Sequence, residues 1–230
     1  MKKYRVVLSF KKSMIRNDIE IQRDFLNDLY ALSCSKREEL RTRIEELVAQ
    51  STGHADEIYD HYLDEFFVYD TKYVELSNNS QLVAAYSFLE FELKEIRNVV
   101  KKFLINPVLH NYVYDKKKSS AQNFRDEIYS MVNLDFLALE KTWQQIENFR
   151  RIRNLIAHNG GNLFLNASKT ISDQPDYNLI ESNRFLHLNL RSGDIFINDK
   201  QYVHDLIELI ESFLKEFIEI LLTISSEEVK

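Results

Sequence analysis

Hydrophobic residues recur at three- and four-residue spacing through most of the chain, and this period predicts a mainly helical protein. The period is clearest near the end, where apolar residues run from Leu206 to Leu221 with charged residues between them. The predicted helices are Asp18–Gln50, Asp56–Tyr69 with its aromatic stripe packed inward, Gln81–Leu104, Ser119 or Ser120 to about Val132, Asn133 or Asp135 through His158, and Tyr202–Ile224.

Short polar stretches predict where these helices begin and end. Ser33-Cys34-Ser35 is a candidate break within the first segment, because Ser35 and Glu38 have the spacing of a capping box. The cluster Ser77–Ser80 predicts a helix start, and Asn106-Pro107 predicts a helix end. The β-branched and aromatic residues of Tyr4–Phe10 are compatible with either a short strand or a helix start.

The pattern changes between the fifth and the last of these helical segments. Asn162–Asn183 is polar and predicts a loop. Phe185–Leu190 and Ile195–Ile197 alternate in polarity on either side of a turn that contains Gly193, which is typical of a β-hairpin. The predicted fold is therefore all-α, with a small β-hairpin insertion before the C-terminal helix.

Composition favours a folded chain without membrane segments. The 230 residues are 44% hydrophobic and include only 4 Gly and 2 Pro. A single cysteine, Cys34, rules out an internal disulfide framework and fits a reducing compartment. With neither a signal peptide nor an apolar stretch of about 18 residues, a cytoplasmic protein is expected. The net charge of −6 argues against a general nucleic-acid coat protein, but it leaves room for a local basic site.

The densest polar cluster lies in Phe149–Gly161, at the end of the fifth predicted helix. Gly160 and Gly161 favour a helix end because glycine enters the left-handed cap conformation without steric penalty. The last two turns then carry Arg150, Arg151, Arg153, Asn154 and His158.

Helical spacing decides which of these side chains share a face. Asn154 and His158 are four residues apart and share one, and Arg151 joins them at seven residues from His158. Arg153 and His158 are five apart, so an ideal helix points them about 140° apart. If these two act together, the helix must end or bend between them, or a second copy of the chain must complete the site.

Arg153-Asn154-Leu155-Ile156-Ala157-His158 resembles the R-N-x-x-x-H motif of the HEPN superfamily of small helical domains. Together with Trp143–Glu147 before it and Asn159–Gly161 after it, the motif is similar to the bacterial, defence-associated branch. The resemblance extends over roughly Ser77–Glu219, and it includes Glu90, on a helix where that family often places a polar residue facing the active cleft. It implies a helical N-terminal extension at 1–76 and a HEPN-like helical bundle at 77–230.

The resemblance implies a homodimeric, metal-independent endoribonuclease in which Arg153 and His158 are catalytic and Asn154 supports them. A bacterial toxin or anti-phage effector is the implied context, with RNA as substrate, an antitoxin or regulatory protein as a further partner, and no cofactor. The residue types suit this chemistry. RNA carries its own 2′-OH nucleophile, histidine transfers protons near neutral pH, and arginine binds phosphate. Arg150 and Arg151 are candidate phosphate-binding residues.

Two other functions fit the same residues: a non-catalytic HEPN-like dimeric interaction module, and a nucleotide-binding sensor whose arginines hold a phosphate without turnover. A purely structural origin is also compatible, since cations are favoured in the last turn of a helix and the arginines are also compatible with plain surface residues that pair with Glu140 or Glu147. His54 and His61 lack the tight ligand set of a metal site, so no metal site is predicted.

Overall fold

The computed structural model describes residues 2–51, 53–104, 112–132, 136–164 and 169–224. Over these ranges the chain is mostly helical, and a small antiparallel hairpin precedes the last helix, as predicted. The elements in chain order are α1 (Lys2–Gln50), α2 (Ala55–Phe67), a π-helical turn (Val68–Lys72), α3 (Tyr73–Leu104), α4 (Ser120–Met131), α5 (Leu137–Asn159), a 3₁₀ turn (Ile171–Asp173), α6 (Tyr177–Glu181), β1 (Leu186–Leu188), β2 (Ile195–Ile197) and α7 (Gln201–Leu222).

The chain forms two compact units, each built from separate stretches of sequence. Unit 1 contains Met1–Ile21, Val83–Arg153 and His204–Lys230, and unit 2 contains Gln22–Leu82 and Asn154–Val203. The predicted boundary between residues 76 and 77 lies within α3. The division into an extension and a HEPN-like domain stays a prediction.

The core of unit 1 contains a cluster of aromatic rings contributed mainly by α4, α5 and α7. Phe213 and Phe217 of α7 are fully buried. The ring centroid of Trp143 lies 5.2 Å from that of Phe213, and the centroid of Phe136 lies 5.5 Å from that of Phe217. Tyr129 stacks on Phe136 at 3.9 Å. Offset and tilted ring pairs of this kind add stability beyond the area they bury.

The core of unit 2 includes the hairpin. Leu186 pairs with Ile197 and Leu188 pairs with Ile195, and all four side chains are buried. The polarity alternation in the sequence therefore predicted both strands of the hairpin. The side-chain amide of Asn78, in the second turn of α3, donates a hydrogen bond of 3.0 Å to the backbone carbonyl of Ile197.

The N-terminal helix is longer than the sequence predicted. Tyr4–Phe10 is helical, which resolves the alternatives in favour of a helix start. Ser33-Cys34-Ser35 does not break the helix, so the predicted division is wrong. Ser33 is buried, and its hydroxyl donates to the carbonyl of Tyr69 at 3.2 Å. A serine whose hydroxyl bonds to a neighbouring segment does not compete for the helix's own backbone groups.

The aromatic stripe predicted to pack inward from α2 is not buried as a whole. No residue of α2 is buried. Tyr59 and Phe67 of the stripe are 47% and 53% exposed, and Tyr62 and Phe66 are half-buried. The helical period was correctly identified, but period alone does not fix which side of a helix faces a core.

The polar cluster Ser77–Ser80 lies inside α3 and does not start a helix, so this prediction is also wrong. Asn78 is buried there and bonds to the hairpin. Ser119 does cap α4, since its side-chain oxygen accepts from the backbone N–H of Gln122 at 3.1 Å.

Two of the predicted helix boundaries lie outside the described residues. They are the helix end at Asn106-Pro107 and the start of the fifth helix at Asn133 or Asp135. The predicted loop after α5 contains, in its described part, the 3₁₀ turn and the short α6. In the described ranges, no helix combines the length and apolar character that crossing a membrane requires.

Candidate active site

The C-terminal end of α5 is a glycine cap, as predicted. Gly160 and Gly161 have φ values of 61° and 75°, in the left-handed region that glycine enters without cost. The N–H of Gly161 donates to the carbonyl of Leu155 at 3.0 Å, which satisfies one of the last carbonyl groups of the helix. His158 therefore lies in the final turn of the helix, two residues before the cap.

The hairpin anchors the chain just after this cap. The N–H of Ile195 donates to the carbonyl of Gly161 at 2.7 Å, and that of Leu163 donates to the carbonyl of Gly193 at 2.8 Å. The side-chain amide of Asn162 donates to the carbonyl of Ser192 at 2.8 Å. The hairpin before the last helix thus fixes the position of the segment that follows His158.

Substitutions at two glycines of this region test the anchor. Gly193 has a φ of 78°, and a Cβ at this position would overlap the ring of Phe164, whereas a Cβ at Gly160 would meet no atom within 4 Å. Gly160→Ala is expected to cost about 1 kcal/mol for the left-handed backbone alone, and Gly193→Ala about 2 kcal/mol because the ring must also move. Urea unfolding of both variants measures the difference. Equal losses would mean that Phe164 does not constrain Gly193.

Asn154 and His158 lie on the same face of α5, one turn apart, as the spacing predicted. His158 is exposed and Asn154 is half-buried. Arg151, seven residues before His158, is also half-buried. An exposed imidazole next to a carboxamide on one helix face can meet a ligand that approaches from solvent.

Arg150 and Arg153 lie in unit 1, where they border a polar cluster between α3 and α5. The guanidinium of Arg150 donates to the Glu147 carboxylate at 2.6 Å, the pairing that the sequence offered as an alternative. The guanidinium carbon of Arg153 lies 5.6 Å from the ring centroid of Tyr86, within cation–π range. Tyr86 is buried, and its hydroxyl lies 3.4 Å from the Ser119 hydroxyl.

Glu90 belongs to the same cluster. Burial raises the pKa of its carboxyl group, and the positive charge of Arg153, the backbone N–H of Ala121 and the charge of Arg150 act in the opposite direction. The net shift is upward, so desolvation outweighs the two arginines. Burial likewise raises the pKa of Tyr86.

The sequence alone identified three of the five residues of this cluster, which are Tyr86, Glu90, Glu147, Arg150 and Arg153. Arg150 and Arg153 were predicted site residues, and Glu90 was implied by the family resemblance. Tyr86 was read only as a core position on the apolar stripe of α3, and Glu147 only as a pairing alternative. The signal for Glu147 was its spacing of three residues from Arg150, whereas nothing in the sequence marked Tyr86 as the ring beneath Arg153.

The helix that carries the motif is continuous. α5 is helical from Leu137 to Asn159, so the helix does not end between Arg153 and His158. Five residues on a continuous helix point about 140° apart. Of the three ways to bring the two side chains to one ligand, a helix end between them is therefore excluded.

Other candidate residues have ordinary partners. His54 Nδ1 lies 3.3 Å from a Glu57 carboxylate oxygen, and Lys118, the residue before the N-cap of α4, pairs with Asp126 at 2.7 Å. Among the residues that the structure describes, no three His, Cys, Asp or Glu side chains converge on a point that could hold a metal ion. The polar end of α5 therefore stays the best-supported site.

Comparisons with known proteins do not indicate a function or a site for this chain. No protein-family model, no curated protein and no solved structure matches the chain. Function must therefore be argued from the motif and from the geometry around it.

Proposed function

We propose that the chain is a metal-independent endoribonuclease of HEPN type that acts as a homodimer. The observation that carries the proposal is the position of the R-N-x-x-x-H motif on the last two turns of a capped and anchored helix, with His158 exposed at its end. The role as a bacterial toxin or anti-phage effector follows from the family resemblance alone.

The reaction needs one proton removed and one supplied. The 2′-oxygen of a ribose attacks the adjacent phosphorus while its proton leaves to a base, and the bond from phosphorus to the 5′-oxygen breaks as that oxygen gains a proton. His158 transfers one of these protons. Arg153 stabilises the negative charge that develops on the phosphorane oxygens, Asn154 orients the imidazole or a phosphate oxygen, and Arg150 and Arg151 bind neighbouring phosphates.

The surroundings of Arg153 support its role. Its guanidinium lies over the ring of Tyr86 and interacts electrostatically with the carboxyl group of Glu90. An arginine restrained on two sides loses less side-chain freedom when it binds phosphate than a fully solvated one. The unbroken α5 supports a site completed by a second copy, since a two-fold axis can bring Arg153 of one copy towards His158 of the other.

Incubation of a mixed RNA pool with purified protein in EDTA tests the proposal. Wild-type protein is expected to cut the RNA and to leave 2′,3′-cyclic phosphate and 5′-hydroxyl ends, because the attacking group belongs to the substrate. End-specific labelling identifies these products. Products with 5′-phosphate ends would contradict the mechanism, because water would then be the nucleophile.

The interaction module is the second candidate, and the observation in its favour is exposed apolar surface. The exposed apolar residues Tyr59, Leu63 and Phe67 follow one another at four-residue spacing on α2, and such stripes commonly mark protein-binding sites. A folded dimer that cuts no RNA and does not inhibit growth when overexpressed would favour this function over the nuclease.

A further inference from the structure

The outward side of α2 carries an apolar stripe. Tyr59, Leu63 and Phe67 follow one another at four-residue spacing, and all three are exposed, with Leu63 the most exposed at 64%. Another side of the helix packs on the rest of unit 2, where the ring centroid of Tyr62 lies 5.3 Å from the guanidinium carbon of Arg43. The apolar stripe is therefore open to a partner while α2 stays attached to its own unit.

An open groove with a volume of about 620 Å³ lies against this stripe. Apolar side chains line it together with two carboxylates and one cation, and these include Leu63, Phe66, Phe67, Asp64, Asp70 and Arg37. The cation is compensated, because Arg37 pairs with Asp70 at 2.7 Å. A groove of this composition accepts the apolar side chains of a partner and adds carboxylates beside them.

A row of acidic residues runs parallel to the stripe. Asp56, Asp60 and Asp64 each precede a residue of the stripe by three positions, so the two rows lie about 60° apart around the helix. All three aspartates are exposed, and within the described part of the chain none of them forms an ion pair. Like charges four residues apart repel one another on a helix. Cations from a partner would remove this repulsion.

The two rows together are called the acidic-apolar face here, and charge decides which partner fits it. Unit 2 contains 10 Lys or Arg and 18 Asp or Glu, a net charge of −8, whereas unit 1 contains 20 and 18, a net charge of +2. α2 itself has five acidic residues and no Lys or Arg. RNA, an anionic membrane or a second copy of the same face would bring more negative charge and be repelled. A basic protein segment is attracted.

We propose that the acidic-apolar face of α2 binds a basic amphipathic helix of another protein. The apolar side chains of this partner enter the groove beside Leu63 and Phe67, and its Lys or Arg side chains pair with the three aspartates. In this form of recognition the apolar row supplies affinity, and the charges supply orientation and partner choice. The inference goes beyond the proposed nuclease and does not depend on it, because binding is measured without RNA.

The first test titrates the full chain with two labelled synthetic peptides of about 18 residues, which is long enough to form a helix. Both peptides carry leucine at the helical period, and the remaining positions are lysine in one and glutamate in the other. Fluorescence anisotropy measures binding. The wild-type protein is expected to bind the lysine peptide and not the glutamate peptide. Preference for the glutamate peptide, or binding of neither, would overturn the inference.

The second test removes charge from the face without changing its shape. Asp60→Asn with Asp64→Asn is expected to weaken binding of the lysine peptide by about 2- to 10-fold and to make it less sensitive to salt. The matched control is Asp24→Asn with Asp28→Asn, two exposed residues at the same spacing on the part of α1 that belongs to unit 2. The control is expected to bind like wild type. Equal weakening by both pairs would mean that the peptide responds only to net charge, which contradicts a site on α2.

The third test removes one apolar side chain. Leu63→Ser is expected to weaken binding of the lysine peptide by about 5- to 10-fold. Leu190→Ser is the control, since Leu190 is 60% exposed and lies in unit 2 outside α2. No residue of α2 is buried, so the variant is expected to fold, and circular dichroism verifies this. If Leu63→Ser bound the peptide like wild type, the apolar stripe would not be the contact surface and the inference would be wrong.

Discussion

RNA cleavage in EDTA is expected to fall by about 10²- to 10⁴-fold when His158 is replaced by alanine, which is the usual contribution of a general acid or base. His158 is exposed at the end of α5, so its removal leaves no cavity and no unpaired buried group. The loss should therefore appear in activity and not in stability. Cleavage rates on a labelled RNA and a urea unfolding curve for the same preparation provide the comparison.

His187→Ala is the matched control for this substitution. His187 is also an exposed histidine, on β1 of the hairpin, and it has no part in the proposed chemistry. His187→Ala is expected to cleave RNA like wild type. Equal cleavage by all three proteins would assign the activity to another site or to a contaminating nuclease, and His158 would lose its proposed role.

A mixing experiment tests whether two copies build the site. If Arg153 of one copy acts with His158 of the other, then Arg153→Ala and His158→Ala proteins should each be inactive alone. Mixed subunits should regain about a quarter of the wild-type activity, because half of the dimers are mixed and each has one intact site. If the two residues act within one chain, every site has a defect and mixing restores nothing.

The helical framework was largely predictable from the sequence, because apolar period reflects helix geometry directly. The hairpin was predictable as well, since Leu186, Leu188, Ile195 and Ile197 alternate around a glycine turn and all four are buried. The errors have a common cause. Ser33 and Asn78 are residue types that commonly cap helices, but each forms a hydrogen bond with a residue far away in sequence. Such tertiary contacts override the local preference of these residues for helix ends.

The site was predictable only as a motif. Its position at a glycine-capped helix end could be predicted from Gly160 and Gly161. The hydrogen bonds that anchor this end to the hairpin are visible only in the three-dimensional structure. The same holds for the ring of Tyr86 beneath Arg153 and for the burial of Glu90. A single sequence does not show which apolar residues of α3 face α5.

Replacement of Glu127 is expected to cause a large loss of stability, because its carboxylate is the centre of a buried charge cluster. Its side chain is 3% exposed, accepts a hydrogen bond of 2.8 Å from the Tyr114 hydroxyl, pairs with Lys101 and lies 3.5 Å from the Arg97 guanidinium. It thereby ties α4 to α3 and to the segment before α4 within unit 1. Removing one member of a buried charge cluster leaves the others desolvated without compensation.

Glu127→Ala is therefore expected to lower the free energy of unfolding by about 3 kcal/mol at pH 7, as measured by urea denaturation. Glu45→Ala is the control, because Glu45 is 57% exposed and pairs with Arg41 one turn away. Exposed pairs of this kind contribute little, so the control should change stability far less. Equal losses for the two variants would show that Glu127 is not the centre of a buried cluster.

The pH dependence of the same residue has a definite sign. Burial raises the pKa of Glu127. The hydrogen bonds from Lys101 and Tyr114 and the positive charges of Lys101 and Arg97 lower it by more, so the net shift of the pKa is downward. Because the folded pKa is below the unfolded value of about 4.3, the stabilisation is fully present above that value and is lost as the pH falls through the folded pKa. The stability difference between wild type and Glu127→Gln should thus be largest near neutral pH and shrink below about pH 4. A difference that grew on acidification would mean that burial dominates and that Glu127 is protonated in the folded protein.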